Sequence, residues 1–208
     1  MDSRVGKFFM SRSRKDWVID ASLFITAIAV SCLYFILNAP QEPLHIFKIA
    51  IDDQIPRLPI FIVPYLAFLP WLWGTMGFSF LKHKSFRKLA LAVIIINLVA
   101  YGFYIFLQTY IPRTPITSSD LFSNILQIVY NNDHQYNCFP SLHSGLSAMI
   151  ATYFVCTKSK LAWVAIAMAA LVVVSTLFTK QHFIVDAISG VTLGIVATWA
   201  IFRLGKSI

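Results

Sequence analysis

LALAVIIINLVAYGFYIFL occupies residues 89–107 and contains no charged side chain. Its length matches the roughly 20 apolar residues that a helix needs to cross the hydrocarbon core of a membrane. Five more apolar stretches lie at 18–37, 60–80, 144–157, 161–178 and 183–202. Together they predict an all-α integral membrane protein with six transmembrane helices, formed as one domain over residues 1–208. The stretch at 144–157 is short for a span, so a re-entrant helix is an open alternative there.

Composition and charge define the class of protein. Hydrophobic residues make up 58% of the 208 residues and charged residues only 12%, an apolar content that a soluble domain of this length could not bury. The net charge of +8 does not indicate nucleic-acid binding, because most cations fall on one side of the predicted membrane. Thirteen of the 17 do so, namely Arg4, Lys7, Arg12, Arg14, Lys15, Lys82, Lys84, Arg87, Lys88, Lys158, Lys160, Arg203 and Lys206.

The positive-inside rule places that basic side, and both termini, in the cytoplasm. We expect a plasma-membrane protein, and the remaining cations then face outward: Lys48, Arg57, Arg113 and Lys180. Two polar strings lie on the same outward side, Phe139-Pro140-Ser141-Leu142-His143 and His182-Phe183-Ile184-Val185-Asp186. Polar groups at a membrane boundary are costly unless they are used. We therefore expect a functional site on the outer face.

The second string contains a histidine and a carboxylate at spacing four. If both lie on a helix, His182 and Asp186 share one face. The carboxylate can then accept a hydrogen bond from one ring nitrogen of His182, which leaves the other nitrogen free as a nucleophile. Histidine is a good nucleophile toward phosphorus, so this pattern favours a phosphohistidine.

The first string supplies groups that suit a phosphate ligand. Ser141 and His143 fall at the expected N-terminus of a helix, where free backbone N–H groups and a partial positive charge attract anions. His143 can protonate a leaving oxygen as a general acid. Arg113 offers a planar guanidinium that matches phosphate oxygens. A zinc site is an alternative use of the same region, with ligands drawn from His134, Cys138, His143, His182 and Asp186.

Two outward loops separate the stretches. Residues His45–Gln54 are expected to form a short amphipathic helix at the interface. The loop at 108–140 contains Arg113, an apolar segment at 121–130 and a polar run at 131–135. Long ordered loops in compact proteins are often lids or binding loops.

The motifs as a set resemble those of the type 2 phosphatidic acid phosphatase superfamily. Pro140-Ser141-Leu142-His143 is similar to its Pro-Ser-Gly-His motif, and Ser175, His182 and Asp186 have the spacing of its third motif. The resemblance implies six membrane helices, His182 as the nucleophile, Asp186 as its orienting partner and His143 as the acid. It also implies that Ser141 and Arg113 bind phosphate and that neither a metal nor another cofactor is needed.

The chain departs from these motifs at several positions. Phe106 stands where the first motif has lysine, Thr114 separates Arg113 from Pro115, and Leu142 replaces the motif glycine. Thr176 replaces the third-motif arginine. Lys180 could restore one charge from the same helix face if the helix continues to it, so it is a further candidate phosphate ligand. Gln108 could donate a hydrogen bond.

Residues 139–145 and 181–186 also resemble the inositol phosphorylceramide synthase branch of this superfamily, whose enzymes move a phospho-head group to a lipid alcohol. The small size of the chain favours hydrolysis instead. We therefore expect a lipid-phosphate phosphatase that acts on phosphatidic acid, phosphatidylglycerol phosphate or a polyprenyl diphosphate, with membrane lipids as its surroundings. The alternatives are the transferase, an inactive relative, and a non-enzymatic membrane protein or transporter. The sequence gives no indication of the oligomeric state.

Overall fold

The structure, a computed structural model, describes residues 12–82 and 85–205. Over these residues the chain forms seven α-helices and no β-strand, which confirms the all-α class. The helices are α1 Arg14–Leu37, α2 Ile62–Lys82, α3 Phe86–Phe106, α4 Leu121–Asn132, α5 Leu142–Cys156, α6 Ala162–Phe178 and α7 Ile184–Leu204. Two short 3-10 turns, Ala50–Asp53 and Pro59–Phe61, precede α2.

Each of the six apolar stretches becomes a helix. Among the described residues, four of these helices are long and apolar enough to cross a membrane: α1, α2 with the turn before it, α3 and α7. The helices α5 and α6 are apolar but have only 15 and 17 residues. The architecture is consistent with an integral membrane protein.

The helices α5 and α7 pack closely because small residues line their contact. A Cβ atom added to Gly190 would overlap the carbonyl oxygen of Ser141, and one added to Gly194 would overlap that of Gly145. This close approach is typical of a G-x-x-x-G crossing between membrane helices. It brings the N-termini of the two helices together, where the Ser141 N–H donates to the carbonyl of Asp186 at 3.0 Å.

Charged residues gather at the opposite end of the bundle. Asp20 of α1 is fully buried, and its carboxylate accepts hydrogen bonds from Arg12 and, at 2.6 Å, from Arg87 of α3. Arg87 also donates to Asp16 at 2.6 Å. These ion pairs hold α1 against α3, and their end of the bundle is the one that the sequence assigns to the cytoplasm.

The predicted amphipathic helix over His45–Gln54 is wrong. Only Ala50–Asp53 is helical, as a single 3-10 turn. Its upstream half is extended because His45 pairs with the loop after α3: its N–H donates to Gln108 and its carbonyl accepts from Tyr110, both at 2.9 Å. Asp52 is buried rather than solvent-facing.

The apolar segment at 121–130 forms α4. Asp120 caps this helix by accepting from the N–H groups of Phe122 and Ser123 at 3.0 and 3.1 Å. Hydrogen bonds from Ser118 and Ser123 lower the pKa of the Asp120 carboxyl well below its usual range. Leu126 packs with Ile62 and Tyr65, which places α4 over the first turns of α2.

Candidate active site

His182 lies in the turn between α6 and α7, not on a helix. The carbonyl of Thr176 accepts hydrogen bonds from the N–H groups of Gln181 and His182 at 2.9 and 3.2 Å, and this fixes the turn. The expectation that His182 and Asp186 share a helix face is therefore wrong, because α7 begins only at Ile184. The two side chains are nevertheless neighbours: His182 Nδ1 is 3.8 Å from Asp186 Oδ2.

Asp186 uses its carboxylate to cap α7. Its Oδ2 accepts the N–H of Phe183 at 2.9 Å, while Oδ1 is buried and has no hydrogen-bond partner. The Nδ1 atom of His182 is also buried without a partner. Both groups lose water without a replacement bond, a cost that is uncommon unless the atoms serve a purpose.

His143 lies one residue inside α5. Ser141 is the N-cap of this helix, as predicted, and its hydroxyl oxygen accepts the N–H of Ser144 at 3.3 Å. The His143 ring stacks on Tyr65 with 4.5 Å between ring centroids and lies 4.7 Å from the ring of Phe68. Its centroid is 6.0 Å from that of His182. The two histidines, 39 residues apart in sequence, are thus close enough to contact one phosphate group.

Both histidines line a cavity of about 320 Å³. Its walls are mostly apolar and come from α1 to α5, and the turns after α4 and before α7 add polar residues. A cavity of this size with apolar walls and a few convergent polar groups is typical of a ligand site.

Arg113 does not line this cavity directly but lies next to it. Its Nη1 donates to the carbonyls of Tyr130 and Asp133 at 3.2 and 2.6 Å, and its Nη2 donates to the carbonyl of His134 at 3.3 Å and to the side chain of Gln181. The guanidinium also stacks on the Tyr130 ring, 4.4 Å from its centroid. Arg113 therefore contacts Gln181, the residue that directly precedes His182 in the chain.

Lys180 was expected to replace the missing motif charge from a continued α6. That expectation is wrong, because α6 does not reach Lys180. The helix ends at Phe178, and Lys180 has a φ of 53°, in the left-handed region. Its Nζ donates to the carbonyl of Asp52 at 3.1 Å. Partial burial lowers the pKa of the Lys180 amine.

The substituted motif positions supply no cation. Phe106 is 87% exposed at the end of α3, so it faces the surroundings rather than the site. The amide of Gln108 donates to Ala39 and Asn137 at 2.9 and 2.8 Å, so its donors are already used within the protein. Thr176 is buried and donates to the carbonyl of Val173.

The structure brings three of the five candidate zinc ligands together. Atoms of Cys138, His182 and Asp186 all lie within 4.8 Å of one another. His134 is held elsewhere by the carbonyl of Asn38, 2.9 Å from its Nδ1, and His143 stacks on Tyr65. Thiol, imidazole and carboxylate are groups that zinc accepts. Burial raises the pKa of the Cys138 thiol well above its usual range.

Sequence reasoning missed four residues that shape the site. Asp133 and Asn137 line the cavity beside the histidines, and Tyr65 supports His143. Asp52 contacts the turn that carries His182. The polar run at 131–135 was a sequence signal for Asp133. The others give no local signal, since each reaches the site only through tertiary packing.

A family model described as the PAP2 superfamily matches residues 61–200, which is more than half of the chain and includes both histidine strings. The helical fold and the paired histidines agree with this match, and the chain belongs to the PAP2 superfamily. Membership supports a function of the phosphatase or phosphotransferase type and confirms the resemblance seen in the sequence. It does not test the inositol phosphorylceramide synthase branch, which stays a prediction. A search of curated proteins and a search of solved structures found no match.

Proposed function

We propose that this protein is a membrane lipid-phosphate phosphatase that hydrolyses a lipid phosphomonoester or diphosphate through a phosphohistidine at His182. One observation carries the proposal: His143 and His182 lie with 6.0 Å between their ring centroids, and both line the same mostly apolar cavity. A lipid phosphate needs both parts of such a site, because its chains are apolar and its head group must react. Phosphatidic acid, phosphatidylglycerol phosphate and polyprenyl diphosphates all have this character.

The reaction takes place in two steps. A ring nitrogen of His182 attacks phosphorus, the bond to the leaving oxygen breaks, and His143 gives that oxygen its proton. Water then attacks the phosphohistidine and returns a proton to His143, which releases phosphate and restores His182. Asp186 orients the imidazole and stabilises its positive charge. The 3.8 Å between Nδ1 and Oδ2 would shorten on binding, as catalytic hydrogen bonds often do.

The phosphate is held by hydrogen-bond donors at the N-terminus of α5 and around His182. Ser141 accepts a hydrogen bond with its hydroxyl oxygen, and its own O–H can donate to a phosphate oxygen. Arg113 would exchange one of its carbonyl partners for phosphate, and Lys180 would release the carbonyl of Asp52. Each exchange replaces a neutral acceptor by an anion, and a hydrogen bond to a charged group is the stronger one.

We further propose six spans with both termini in the cytoplasm of a plasma-membrane protein and the site on the outer face. The ion pairs of Arg12 and Arg87 lie at the end of the bundle opposite the histidines, and the positive-inside rule assigns that end to the cytoplasm. In this arrangement α5 is a short span because its outer end is the site itself.

A phosphotransferase is the second candidate. It uses the same phosphohistidine, and a lipid alcohol replaces water in the second step. The cavity favours this candidate in one respect: its apolar walls could hold the chain of a second lipid next to the histidines.

The test is release of inorganic phosphate by purified protein in detergent with EDTA, across a panel of lipid phosphates. We expect release that His182→Ala abolishes. His45→Ala is the matched control, because His45 contacts its neighbours through backbone groups. Rapid quenching with labelled substrate should trap an acid-labile, base-stable phosphoenzyme in the active protein. Equal release by wild type and His182→Ala would disprove the mechanism.

A further inference from the structure

We propose that Asp133 and Asn137 form a subsite for a hydroxyl group of a lipid bound in the cavity. This inference rests on the proposed function, because it assigns a second contact to a lipid whose phosphate is at His143 and His182. The hydroxyl belongs either to an acceptor alcohol or to the lipid phosphate itself, and both have the same chemistry at this point.

Asp133 is a carboxylate held by neutral donors. Its Oδ1 accepts from the Tyr34 hydroxyl at 2.8 Å and from Asn38 Nδ2 at 2.9 Å, and its Oδ2 accepts from the Tyr65 hydroxyl at 3.0 Å. Over the part of the chain that the structure describes, no cation pairs with it. A carboxylate has about four acceptor positions, so Oδ2 keeps one free.

Asn137 supplies the complementary donor. It is 1% exposed and has a φ of 58°, a left-handed conformation that Asn tolerates well. Its Oδ1 accepts from Gln108 at 2.8 Å, so the orientation of the amide is fixed. Its Nδ2 is buried without a partner, although the residue lines the cavity. A buried donor without a protein partner is uncommon, and this one is free to bind a ligand.

A free acceptor and a free donor that line the same cavity select for a hydroxyl group. A hydroxyl can donate to Asp133 and accept from Asn137 at the same time. A phosphate oxygen could only accept and would be repelled by the carboxylate. An ammonium group could pair with Asp133 but would leave the Asn137 donor unused.

The subsite lies next to the reacting groups. Tyr65 joins the two, since its hydroxyl donates to Asp133 and its ring stacks on His143 at 4.5 Å. Beyond this point the cavity is flanked by Phe35, Leu66 and Leu69, which are 71%, 43% and 51% exposed. In a membrane these side chains face acyl chains, so the chain of a bound lipid can leave the cavity sideways into the bilayer.

The binding test uses brominated diacylglycerol and its O-methyl ether, in which a methyl group replaces the hydroxyl hydrogen, so that the ether can accept a hydrogen bond but cannot donate one. Bromine quenches tryptophan fluorescence, so quenching of Trp73, which lines the cavity, reports binding. The Trp73→Phe variant shows how much of the fluorescence change comes from Trp73. We expect wild-type protein to bind the alcohol about tenfold more tightly than the ether, the effect of one hydrogen bond to a charged group. Asp133→Asn and Asn137→Asp should each remove this preference.

Both variants are isosteric, and Asp53→Asn is the control because Asp53 is an exposed acid outside the cavity. Wild-type protein that binds alcohol and ether equally would overturn the inference. This assay needs no turnover. The alcohol preference can therefore be absent while His182-dependent phosphate release persists, and it can be present in a protein that releases no phosphate.

A turnover assay then identifies the source of the hydroxyl. Transfer of labelled phosphate to the alcohol, lost in Asp133→Asn, would assign the subsite to an acceptor. A preference for lipid phosphates with a free hydroxyl, lost in the same variant, would assign it to the donor lipid. Absence of both effects would count against the inference.

Discussion

The carboxylate of Asp52 accepts the backbone N–H of Ile184 at 2.9 Å, across 132 positions of the chain. Ile184 is the first residue of α7, two positions after His182. The same carboxylate accepts the N–H of Ile49 at 2.8 Å, and the Asp52 carbonyl accepts Lys180 Nζ. Asp52 thus caps α7 from a distant loop and fixes the turn that carries His182 from both sides.

We expect Asp52→Ala to lower kcat roughly 10–100-fold with little change in KM, because a small displacement of His182 misaligns its attack on phosphorus. Steady-state kinetics and the rate of phosphoenzyme formation measure the effect. The neighbouring exposed acid Asp53, which pairs with Lys48, provides the control variant Asp53→Ala. Similar losses in both variants would show that Asp52 has no special role in positioning.

His143→Ala should reduce turnover according to the leaving group. If His143 donates the proton, the loss should be about 10²–10⁴-fold for a lipid phosphate, whose alkoxide leaves poorly. It should be much smaller for an aryl phosphate such as p-nitrophenyl phosphate, which needs little protonation. The ratio of kcat/KM values for the two substrates is the measurement. An equal loss for both would assign His143 to binding rather than to acid catalysis.

Gly190→Ala should disturb the site through the helix crossing. The added methyl group would overlap the Ser141 carbonyl, and overpacking of this kind costs about 1–3 kcal/mol. We expect a lower melting temperature in detergent and a loss of activity, since Ser141 and His143 move with α5. Gly74→Ala is matched to it, because nothing lies within 4 Å of a Cβ there. Equal melting temperatures for Gly190→Ala and Gly74→Ala would contradict the close approach of α5 and α7 at Gly190.

Asp20→Ala should destabilise the protein without acting on chemistry. Removal of one partner from a buried ion pair costs on the order of 3–5 kcal/mol, and Asp20 is fully buried between Arg12 and Arg87. Thermal unfolding in detergent should show a large decrease, while the kcat of the folded fraction stays near wild type. Asp16→Ala, at a partly exposed position, should have a smaller effect. Equal stability of Asp20→Ala and wild type would contradict this account.

Metal chelation should leave activity unchanged, whereas added zinc should inhibit. The first outcome follows from a phosphohistidine mechanism, which needs no metal. The second follows from the 4.8 Å cluster of Cys138, His182 and Asp186, because zinc bound there would occupy the nucleophile. Phosphate release measured with EDTA and over a zinc titration tests both, and Cys138→Ser should weaken the inhibition. Activity that disappears with EDTA and returns with zinc would instead support a catalytic metal.

The helices were predictable because apolar length is a local property. Each of the six stretches became a helix, with boundaries shifted by a few residues, and the family match confirmed the resemblance carried by the two histidine strings. The spacing of His182 and Asp186 indicated their proximity correctly but for the wrong reason. A capped helix start, rather than a shared helix face, brings them together.

The sequence by itself determined the class: an all-α chain with membrane-length apolar helices, basic residues toward one end and two histidines toward the other. Only the tertiary structure decided what surrounds those histidines. The Asp52 cap on α7, the carbonyls around Arg113 and the pairing of Asp133 with Tyr34 and Tyr65 join residues 17 to 132 positions apart. Helix propensity and hydropathy act over a few neighbouring residues, whereas these contacts exist only because packing of the helices brings distant segments to one end of the bundle.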